Sequence, residues 1–545
     1  MSEEPPADKP KLPRGWQKVC LPQIAEINPA LDRGVAGDAV VVNFVPMRAV
    51  EPEGGGLLRP ELRPYGEVKK GYTAFLSGDV IMAKITPCME NGKTTVVPEL
   101  PGSVCFGSTE FHVMRPENGV EARWISNFLL QHEVRRAAQR AMGGGVGQMR
   151  VPSAFLETAE IPLPPTVEQQ RIADALDELL SDLDAGVAAI ERVLAKLAQY
   201  RASVLKAAVE GALTADWRKK HRKVEPASAL LTRILAERRR RWEEDQLRRF
   251  KDAGKEPPKD WKAKYKEPVA PDTTNLPELP ETWCWASVDQ LCSEVRNGYS
   301  LKPDSITGVP ILRISSVRPL VLDLEDIRHL SGVADDYTEF LVKPGDLLFT
   351  RYNGTRSLVG VCAVVPGIAR DIIHPDKLIR GRMLAGFGSP NFVAIASNVG
   401  ASRDFLRQRI RTTAGQAGVS GSDIKQTPVP FPPSAEQDAI TEVVEDQLSV
   451  IQHLEVDLAA KLKSAQALRQ SILRHAFTGQ LVPQEPKDEP AAELLKRIAA
   501  EREERAVRTP RRGTRPTKPP CPGVGRLPSA GGAAATKCSG KSATA

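Results

Sequence analysis

Apolar residues recur in steps of three and four along two long stretches of the chain. The first stretch follows Pro164-Pro165 and the second follows Pro432-Pro433. Such steps are the spacing of a coiled-coil seam, and one four-four step in the first stretch resembles a stutter. A helix over the first stretch would span about 65 Å at roughly 1.5 Å per residue, which is too long for the core of a small domain. We therefore predict two long helices, each of which is the obvious partner of the other.

The second stretch repeats the first at an offset of 268 residues, from 164 to 432. The offset holds without a gap over roughly fifty residues, and a repeat of that length indicates one structural unit used twice. The aligned pairs include Ile172 with Ile440, Leu183 with Ile451, Leu205 with Leu473, Ala208 with Ala476 and Gly211 with Gly479.

The ends of the first helix carry signals of their own. Thr166 is a candidate N-cap, because its hydroxyl can accept a hydrogen bond from the first turn. Gln169 follows three residues later, which makes a capping box possible. Gly211 marks the expected end of the helix.

Shorter apolar runs between turn signals precede each long helix. In the first globular region, defined as residues 12–163, residues 120–141 have apolar positions near helical spacing. Runs typical of strands lie at 39–45, 79–85, 94–97 and 110–114. We predict a mixed α/β domain.

A second globular region, residues 279–430, begins like the first. Leu279-Pro280-Glu281-Thr282-Trp283 parallels Leu12-Pro13-Arg14-Gly15-Trp16, and Gly415-Gln416 stands at the offset of 268 from Gly147-Gln148. Between such anchors the two regions hardly resemble each other. We therefore expect the same fold with a different surface.

A charged connector, residues 217–278, leads from the first long helix to the second globular region. Its run Arg238-Arg239-Arg240-Arg241 lies in a helical pattern, and a proline-rich stretch after it is expected to be extended. We interpret the arginine run as a solvated helix face or a contact to a partner or to phosphate, rather than as a base reader. The pattern at Pro226-Ala227 recurs at Pro490-Ala491 with an offset of 264.

The predicted organisation therefore has eight segments. They are a disordered lead-in (1–11), the first globular region (12–163), the first long helix (164–216), the connector (217–278), the second globular region (279–430), the second long helix (431–484), a short charged helix (485–505) and a disordered basic tail (506–545).

Composition narrows the class of protein only slightly. The 545 residues are enough for three or four domains, and 41% hydrophobic with 26% charged residues is ordinary for a globular protein. A net charge of +7 is compatible with nucleic-acid binding but is weak evidence alone. The eight cysteines contain no C-x-x-C pair, so neither a zinc site nor a disulfide framework is expected. No secretory signal or membrane-length apolar run is visible, so we expect a cytoplasmic protein without membrane contact.

Motifs that carry catalytic chemistry are missing from the sequence. There is no G-x-x-x-x-G-K-[ST] loop for nucleotide phosphates, no G-x-S-x-G elbow and no histidine pair at metal-ligand spacing. Nor is there an Asn-Pro-Pro-Tyr-like motif, the signature associated with adenine methylation of DNA. We therefore expect a chain with no catalytic residues, no metal and no cofactor.

The order of globular region, long helix, globular region and long helix resembles the specificity subunit of type I restriction–modification systems. A Pro-Pro-x-x-Glu-Gln motif, about forty helical residues and an Ala-x-x-Gly-x-Leu ending together form a distinctive pattern when they occur twice. The resemblance covers about residues 12–484. The residues that carry it lie at 161–170 and 205–211, at their counterparts 429–437 and 473–481, and in the loop-like segments 85–93 and 345–354.

The resemblance implies a fold and a division of labour. Each globular region would be a target-recognition domain that reads one half of a split, asymmetric DNA site. The two helices would pair antiparallel as a spacer and give the chain internal pseudo-two-fold symmetry, matching the pseudo-dyad of duplex DNA. The implied partners are double-stranded DNA, two copies of a methyltransferase subunit and two copies of a motor-endonuclease subunit. Those partners would supply the S-adenosylmethionine-dependent adenine methylation and the ATP-dependent cleavage, and this chain would be non-catalytic.

The side-chain types that recognise DNA bases and phosphates identify the candidate DNA contacts. Arg and Lys recognise guanine in the major groove, Asn and Gln recognise adenine, and phosphates accept hydrogen bonds from cations. The candidates of the first globular region are Lys84, Asn91, Lys93, Gln148 and Arg150. Those of the second are Arg351, Tyr352, Asn353, Arg356, Arg411, Gln416 and Lys425.

Two further sets of residues are predicted on the helices. The spacer seam is expected to contain Leu176, Leu183, Ile190, Leu194, Val444, Ile451, Leu458 and Leu462. The candidate docking surfaces for the methyltransferase, at the ends of the helices, are Glu168, Gln169, Glu436 and Gln437.

Two other functions compete with sequence-specific reading. A coiled-coil scaffold that joins proteins and has only non-specific DNA affinity predicts that neutralising Arg351 and Arg356 leaves DNA affinity unchanged. A self-contained nuclease or methyltransferase predicts that the purified chain modifies DNA with Mg²⁺ or S-adenosylmethionine alone.

Overall fold

A computed structural model describes residues 12–31, 37–102, 104–145, 148–413 and 416–508. The chain forms two compact units, one made of Met1–Leu180 with Gln470–Ala545 and the other of Ser181–Arg469. Each unit contains one globular region and parts of both long helices. The predicted lead-in (1–11) and nearly all of the predicted tail (506–545) lie outside the described residues.

The first globular region is a mixed α/β fold. Its strands are β1 Gln17–Cys20, β2 Ala25–Ile27, β3 Val41–Val45, β4 Glu61–Pro64, β5 Thr73–Phe75, β6 Val80–Ala83, β7 Thr94–Val96, β8 Cys105–Gly107, β9 Phe111–Pro116, β10 Gly143–Gly145, β11 Gln148–Arg150 and β12 Glu160–Leu163. Its helices are α1 Tyr65–Val68, α2 Ala122–Leu130, α3 His132–Arg140 and α4 Ser153–Thr158.

An antiparallel sheet in the order β2-β9-β6-β7 forms the centre of this region. Successive side chains of a strand point to opposite faces, so β6 can serve two cores. Val80 and Met82 face a core with α2, whereas Ile81 and Ala83 face a second core with the sheet β4-β3-β8-β5. That burial on both faces explains why β6 reads as an unbroken apolar run.

The first long helix is α5, Thr166–Val209, and the connector after it is folded rather than loose. The stretch after α5 contains α6 Ala215–Lys220, which begins just ahead of the connector, and α7 Ala227–Asp252. Ala227, Leu230 and Ile234 of α7 are buried in the core of the second unit. Trp261 stacks on Trp242 with a centroid distance of 5.9 Å, so the stretch after α7 packs back on that helix.

The second globular region repeats the plan of the first with different additions. Its strands are β13 Cys284–Ser287, β14 Cys292–Asn297, β15 Val309–Leu312, β16 Val317–Arg318, β17 Val321–Leu322, β18 Ile327–Leu330, β19 Leu347–Thr350, β20 Tyr352–Asn353, β21 Cys362–Val364, β22 Leu378–Met383, β23 Arg411–Thr413, β24 Gln416–Gly418 and β25 Pro428–Phe431. Its helices are α8 Val288–Leu291, α9 Pro390–Asn398, α10 Gly400–Arg409 and α11 Gly421–Lys425.

The central sheet of the second region has the order β14-β22-β19-β21, which matches β2-β9-β6-β7 strand for strand. In both regions the first and last strands also pair antiparallel, β1 with β12 and β13 with β25. The repeat found in the long helices therefore extends through both globular regions, where the sequences diverge.

Two helices complete the chain. They are α12 Ser434–Phe477, the second long helix, and α13 Ala491–Arg508. Helix α13 repeats the docking of α7: Ala491, Leu494 and Ile498 are buried in the core of the first unit. The amide of Ala491 donates to the carbonyl of Gly15 at 2.9 Å, as the amide of Ala227 donates to that of Thr282 at 2.9 Å.

Inside the second unit, α5 and α12 pair antiparallel. Arg469 is ion-paired with Asp184, and Arg201 with Glu455 at 2.8 Å, so the partner number falls as α5 advances. Along the seam that these pairs mark, Leu183, Ile190, Leu194, Leu458 and Leu462 are half-buried, and Ile451 is buried. Half-burial is what a two-helix seam provides, because no third element covers it.

The two remaining seam candidates pack in different units. In the first unit, Leu176 lies in one core with Leu473 and Phe477. In the second unit, Val444 lies in one core with Val204, Leu205 and Ala208. Among the described residues, no helix is long and apolar enough to span a membrane.

Candidate nucleic-acid interface

Five of the seven DNA candidates of the second globular region lie on or next to one small sheet. Strands β20, β24 and β23 form it, and we name it the tip sheet. Tyr352 pairs with Gly418 and Asn353 with Ala417 on one side of β24, while Arg411 pairs with Gly418 on the other. The five candidates on the tip sheet or adjoining it are Arg351, Tyr352, Asn353, Arg411 and Gln416.

A glycine in the tip sheet leaves room for a neighbouring tyrosine ring. A Cβ atom added to Gly418 would lie 2.3 Å from Cδ1 of Tyr352. No side chain fits in that space, so the glycine lets the tyrosine ring lie against the backbone of β24. The ring is thereby held as a platform beside the cations of the sheet.

Cations surround that platform. The Arg351 guanidinium lies 4.8 Å from the centroid of the Tyr352 ring, and Nζ of Lys377 lies 5.6 Å from it. Nε of Arg351 is buried without a hydrogen-bond partner among the described residues. An arginine held over a ring by contacts to its face keeps its outer N–H groups available to phosphates or base edges.

The remaining candidates of this region lie nearby in the chain but outside the tip sheet. Arg356 is exposed and opens a short 3₁₀ turn, Arg356–Leu358. Lys425 is half-buried at the end of α11 and lines a cleft with Asn297. Within the described ranges, Arg351, Arg356 and Arg411 form no ion pair, so they are open to an anionic ligand.

The first globular region has a smaller version of this arrangement. The hairpin β10–β11 pairs Gly143 with Arg150, and Ile85 forms an isolated bridge to Arg150. The amide of Thr86 donates to the carbonyl of Met149 at 3.1 Å. A segment that follows β6 therefore lies beside the hairpin, as β20 after β19 lies beside β24. We name the hairpin β10–β11 the tip hairpin.

The five candidates of the first region differ in their exposure and in whether another residue of the chain binds them. Gln148 and Asn91 are exposed, and Lys84 is half-buried. Arg150 donates to both carboxylate oxygens of Glu110, each at 2.8 Å. Nζ of Lys93 donates to the carbonyl of Met47 at 3.1 Å.

The Arg150–Glu110 pair has an electrostatic signature. Hydrogen bonds from Arg150 lower the pKa of Glu110, so the carboxylate stays ionised and continues to hold the guanidinium. Arg150 and Lys93 would have to leave these partners to contact a base. The sequence could not show this, because Glu110 and Met47 are distant from them in the chain.

Lys377 is a candidate that our sequence interpretation missed. It belongs to Pro375-Asp376-Lys377, a short segment that is not among the candidates of the sequence analysis. Its position beside Tyr352 follows from the pairing of the Arg351 amide with the Lys377 carbonyl at 2.8 Å. A single lysine in a loop gives no sequence signal, so only the fold identifies it.

The four predicted docking residues have an internal role instead. Glu168, Gln169, Glu436 and Gln437 are each at most 1% exposed. Nε1 of Trp16 donates to Glu168 at 3.0 Å, and Nε1 of Trp283 donates to Glu436 at 2.9 Å. Buried side chains cannot form a docking surface, so the structure does not agree with the prediction that these four face a partner.

The two glutamines tie each long helix to its globular region. Nε2 of Gln169 donates to the carbonyl of Pro164 at 2.9 Å, and its Oε1 accepts from the amide of Glu121 at 2.9 Å. Gln437 makes the same two bonds, to Pro432 at 2.8 Å and from Ser389 at 2.7 Å. The Pro-Pro-x-x-Glu-Gln motif is thus an anchoring motif.

The capping prediction for the first helix is also wrong. The hydroxyl of Thr166 donates to the carbonyl of Gly119 at 3.1 Å instead of accepting from the first turn. Gln169 is engaged with Pro164 and Glu121, so it does not close a capping box. The helix start is held by contacts to the globular region.

Within the ranges that the structure describes, no three His, Cys, Asp or Glu side chains are grouped to hold a metal ion. The tip sheet presents cations, amides and an aromatic ring, and the tip hairpin presents an amide and a cation. Such groups bind phosphates and base edges.

Comparisons with known proteins give the family. Residues 13–192 match the model of the type I restriction modification DNA specificity domain. The chain is 29% identical over 512 residues to the EcoEI specificity subunit of Escherichia coli, covering 84% of this chain and 81% of that protein. It is 30% identical over 439 residues to the EcoKI specificity subunit of E. coli K12, covering 78% of this chain and 81% of that protein.

A solved structure supports the fold. A chain from a study of complex assembly and conformational transition of the type I R-M system covers 86% of this chain and 99% of its own length. The TM-score is 0.53 at 19% identity. Together with the identity to the EcoKI subunit over most of both chains, these matches show that the chain belongs to the family of type I restriction enzyme specificity subunits.

Proposed function

We propose that this chain selects the DNA site of a type I restriction–modification complex and that each globular region reads one half of a bipartite, asymmetric site. The observation that carries the proposal is the tip that both regions build at corresponding places. In each region a hairpin lies beside the segment that follows an inner strand of the central sheet. In the second region β23–β24 lies beside the segment after β19, and in the first region the tip hairpin lies beside the segment after β6. A shared scaffold with different side chains suits a protein that reads two unlike sequences.

The chemistry of the tip sheet supports base and phosphate contact. Arg351 and Arg411 offer bidentate donors to guanine or phosphate, and Asn353 and Gln416 offer amides to adenine. Tyr352 supplies a flat surface between them. In the first region, Gln148 and Asn91 are the exposed amides, and Lys84 is the cation next to them.

The long helices would set the separation of the two half-sites. Their antiparallel pairing in the second unit, with ion pairs at Asp184 and Arg201, supports a stiff spacer. A stiff spacer fixes the number of unread base pairs, since half-sites one helical turn apart present the same face.

The partners would dock on the outer faces of these helices. Tyr200 is 50% exposed and Leu468 is 51% exposed, and the two stand at the offset of 268. Exposed apolar side chains at equivalent places of a repeat suit two copies of one partner. We propose two methyltransferase subunits there, with two motor-endonuclease subunits joining the complex, and a cytoplasmic location. The partners would supply methylation and cleavage, and this chain would be the non-catalytic component.

Selection from a pool of randomised duplexes tests the proposal. The chain, co-expressed with its modification subunit, should enrich a motif of two fixed segments separated by a constant unread gap. Neutralising Arg351 and Arg356 to glutamine should weaken binding to that motif. If the chain were a scaffold with only non-specific DNA affinity, the selection would enrich no motif. The wild type and the variant without the two arginines would then bind DNA with the same affinity.

A further inference from the structure

A cleft of about 300 Å³ opens beside the tip sheet of the second globular region. Its walls come from the loop after β14, from strands β15 and β18, and from the loop ahead of β22. The polar residues of the lining that matter here are Lys302, Arg313, Arg328, Asp376 and Lys377.

Three cations of the lining are available to a ligand. Lys302, Arg328 and Lys377 are exposed, and none forms an ion pair with another residue in the described part of the chain. Arg313 differs, because Nη1 donates to Oδ1 of Asp326 at 2.8 Å. The acid in the lining is Asp376, so the cations outnumber it. The cleft therefore attracts an anion that can contact several cations at once.

The cleft is continuous with the tip sheet. Lys377 belongs to both, since its Nζ lies 5.6 Å from the Tyr352 ring centroid and its carbonyl accepts from the Arg351 amide at 2.8 Å. A polyanion lying on the tip sheet would therefore extend over the cleft without a break.

The first globular region also has a pocket beside its central sheet, and the described lining of that pocket lacks this charge. It begins directly after β2, as the cleft begins after β14. Its lining is Asn28, Pro29, Ala30, Leu31, Thr73, Ala74 and Val113. None of these described side chains is charged. A second pocket after β2 is lined by Arg502 and Arg505, but both are ion-paired with Glu117, so the first region lacks the unpaired cations of the cleft among its described residues.

We propose that the cleft binds backbone phosphates of duplex DNA flanking the half-site read by the second globular region. The inference rests on the proposed function and adds phosphate contacts outside the read bases, supplied by Lys302, Arg328 and Lys377. The second region would thus hold DNA through more phosphates than the first. Phosphate contacts fix register and orientation and carry no sequence information themselves.

Salt dependence of binding tests this directly. The triple variant K302Q/R328Q/K377Q and the wild type, each in complex with the modification subunit, are titrated with a short duplex carrying the selected motif and with a scrambled duplex. The slope of log K against log salt is negative, and each lost phosphate contact lowers its magnitude, which we call the slope below, by about 0.9. The triple variant should therefore lower the slope by about two to three on both duplexes, with the preference for the motif unchanged.

A charge-matched control separates the cleft from the overall field. K343Q/R370Q/R407Q removes three exposed cations of the same globular region that do not line the cleft. It should leave the slope within about half a unit of the wild type, since it removes no phosphate contact. Thermal unfolding of all three proteins checks that the substitutions leave the fold intact.

The outcomes are distinguishable. An unchanged slope for the cleft variant, or an equal fall for the control, overturns the proposal. If the wild type binds the motif duplex and the scrambled duplex equally, the proposed function of reading DNA sequence is overturned. In that case a lower slope for the cleft variant would still support phosphate binding in the cleft.

Discussion

Glu168 and Glu436 stand at equivalent positions, yet their carboxylates are satisfied to different degrees. Glu436 accepts from Trp283 at 2.9 Å and from Thr214 at 2.6 Å, and it is ion-paired with Arg218. Glu168 accepts from Trp16, but its Oε1 is buried without a partner among the described residues. The offset of 268 explains this, because Val482 and Pro486 stand at the positions equivalent to Thr214 and Arg218.

The difference predicts unequal costs for the same substitution. E436Q removes a charge-assisted pair inside the fold and should lower the free energy of unfolding by about 2–3 kcal/mol. E168Q should change it by less than about 1 kcal/mol, because the carboxylate it replaces is only half satisfied. Denaturant unfolding of the two variants measures this, and equal costs would contradict the interpretation.

The same site predicts a pH dependence in the first unit. Burial raises the pKa of Glu168 above the ordinary 4.5; Trp16 and Arg171 oppose the shift and Asp488 adds to it. The folded state therefore holds the proton more tightly than the unfolded state. Stability from this group is complete below 4.5 and is lost as the pH rises through the raised pKa.

The E168Q variant isolates that effect. As the pH rises from about 4.5 upward, the melting temperature of E168Q should increase relative to that of the wild type, because glutamine has no proton to lose. E436Q is the matched comparison at the equivalent site. A difference between E168Q and the wild type that does not vary with pH would rule out the titration.

Gly418 offers a second residue-scale test. G418A would place its Cβ 2.3 Å from Tyr352, and the tip sheet would have to shift. Overpacking costs about 1–3 kcal/mol, so the melting temperature should fall by a few degrees. Because the tip sheet is displaced, we also expect DNA affinity to fall roughly tenfold. The control is G421A, whose Cβ would meet nothing closer than 3.8 Å. Equal affinities for G418A and G421A would show that the tip sheet does not contact DNA.

At the scale of elements, the long helices were the most predictable part of the chain. Their seams carry a strong period over many turns, and the observed bounds are Thr166–Val209 and Ser434–Phe477. The span 120–141 read as one helical stretch, but it is two helices, because Gln131 adopts an extended conformation between them. A single extended residue leaves the apolar period almost unchanged, so the pattern could not show the break.

Long-range packing was not predictable from local patterns. Strand β3 pairs parallel with β8, which lies about sixty residues further on, and the connector helix α7 packs into a core. The four arginines of α7 illustrate the point: each has a carboxylate partner, as Arg240 and Arg241 have in Glu237. Of the two interpretations of that run, the contacts favour a solvated helix face for Arg239, Arg240 and Arg241, whereas Arg238 is mostly buried beside Asp289.

The outer faces of the helices give an element-scale prediction. Y200E and L468E each place a charge where we propose that the methyltransferase docks, and each should weaken co-purification of that subunit at least about tenfold. Q199E and A467E, one residue earlier on the same helices, carry the same charge change at exposed polar or small positions. If Y200E and L468E retained the methyltransferase subunit as well as the controls do, the docking surface would lie elsewhere.

At the scale of the whole molecule, the internal repeat and the motifs repeated with it were enough to indicate the protein family from the amino-acid sequence. Two similar helices with two divergent globular regions are typical of a chain that presents two different surfaces from one scaffold. The candidate site was less predictable. Arg150 and Lys93 have the right chemistry, but Glu110 and Met47 occupy them, whereas Lys377 was missed because its neighbour Tyr352 is near only in the fold.

The two regions therefore differ in charge as well as in sequence. The tip sheet and the cleft beside it present cations that no described carboxylate holds, while the tip hairpin has its arginine engaged. We infer that the second region contributes more of the electrostatic part of DNA affinity than the first. This asymmetry is a property of the whole chain that neither globular region shows alone.

Duplex selection with one region altered at a time tests most directly whether the two regions read separate half-sites. In complex with the modification subunit, Y352A/R411A should change only one half of the selected motif, and N91A/Q148A should change only the other. The unread gap should be the same in both. A motif in which either variant alters both halves, or the absence of any two-part motif for the wild type, would contradict the claim that each globular region reads its own half-site.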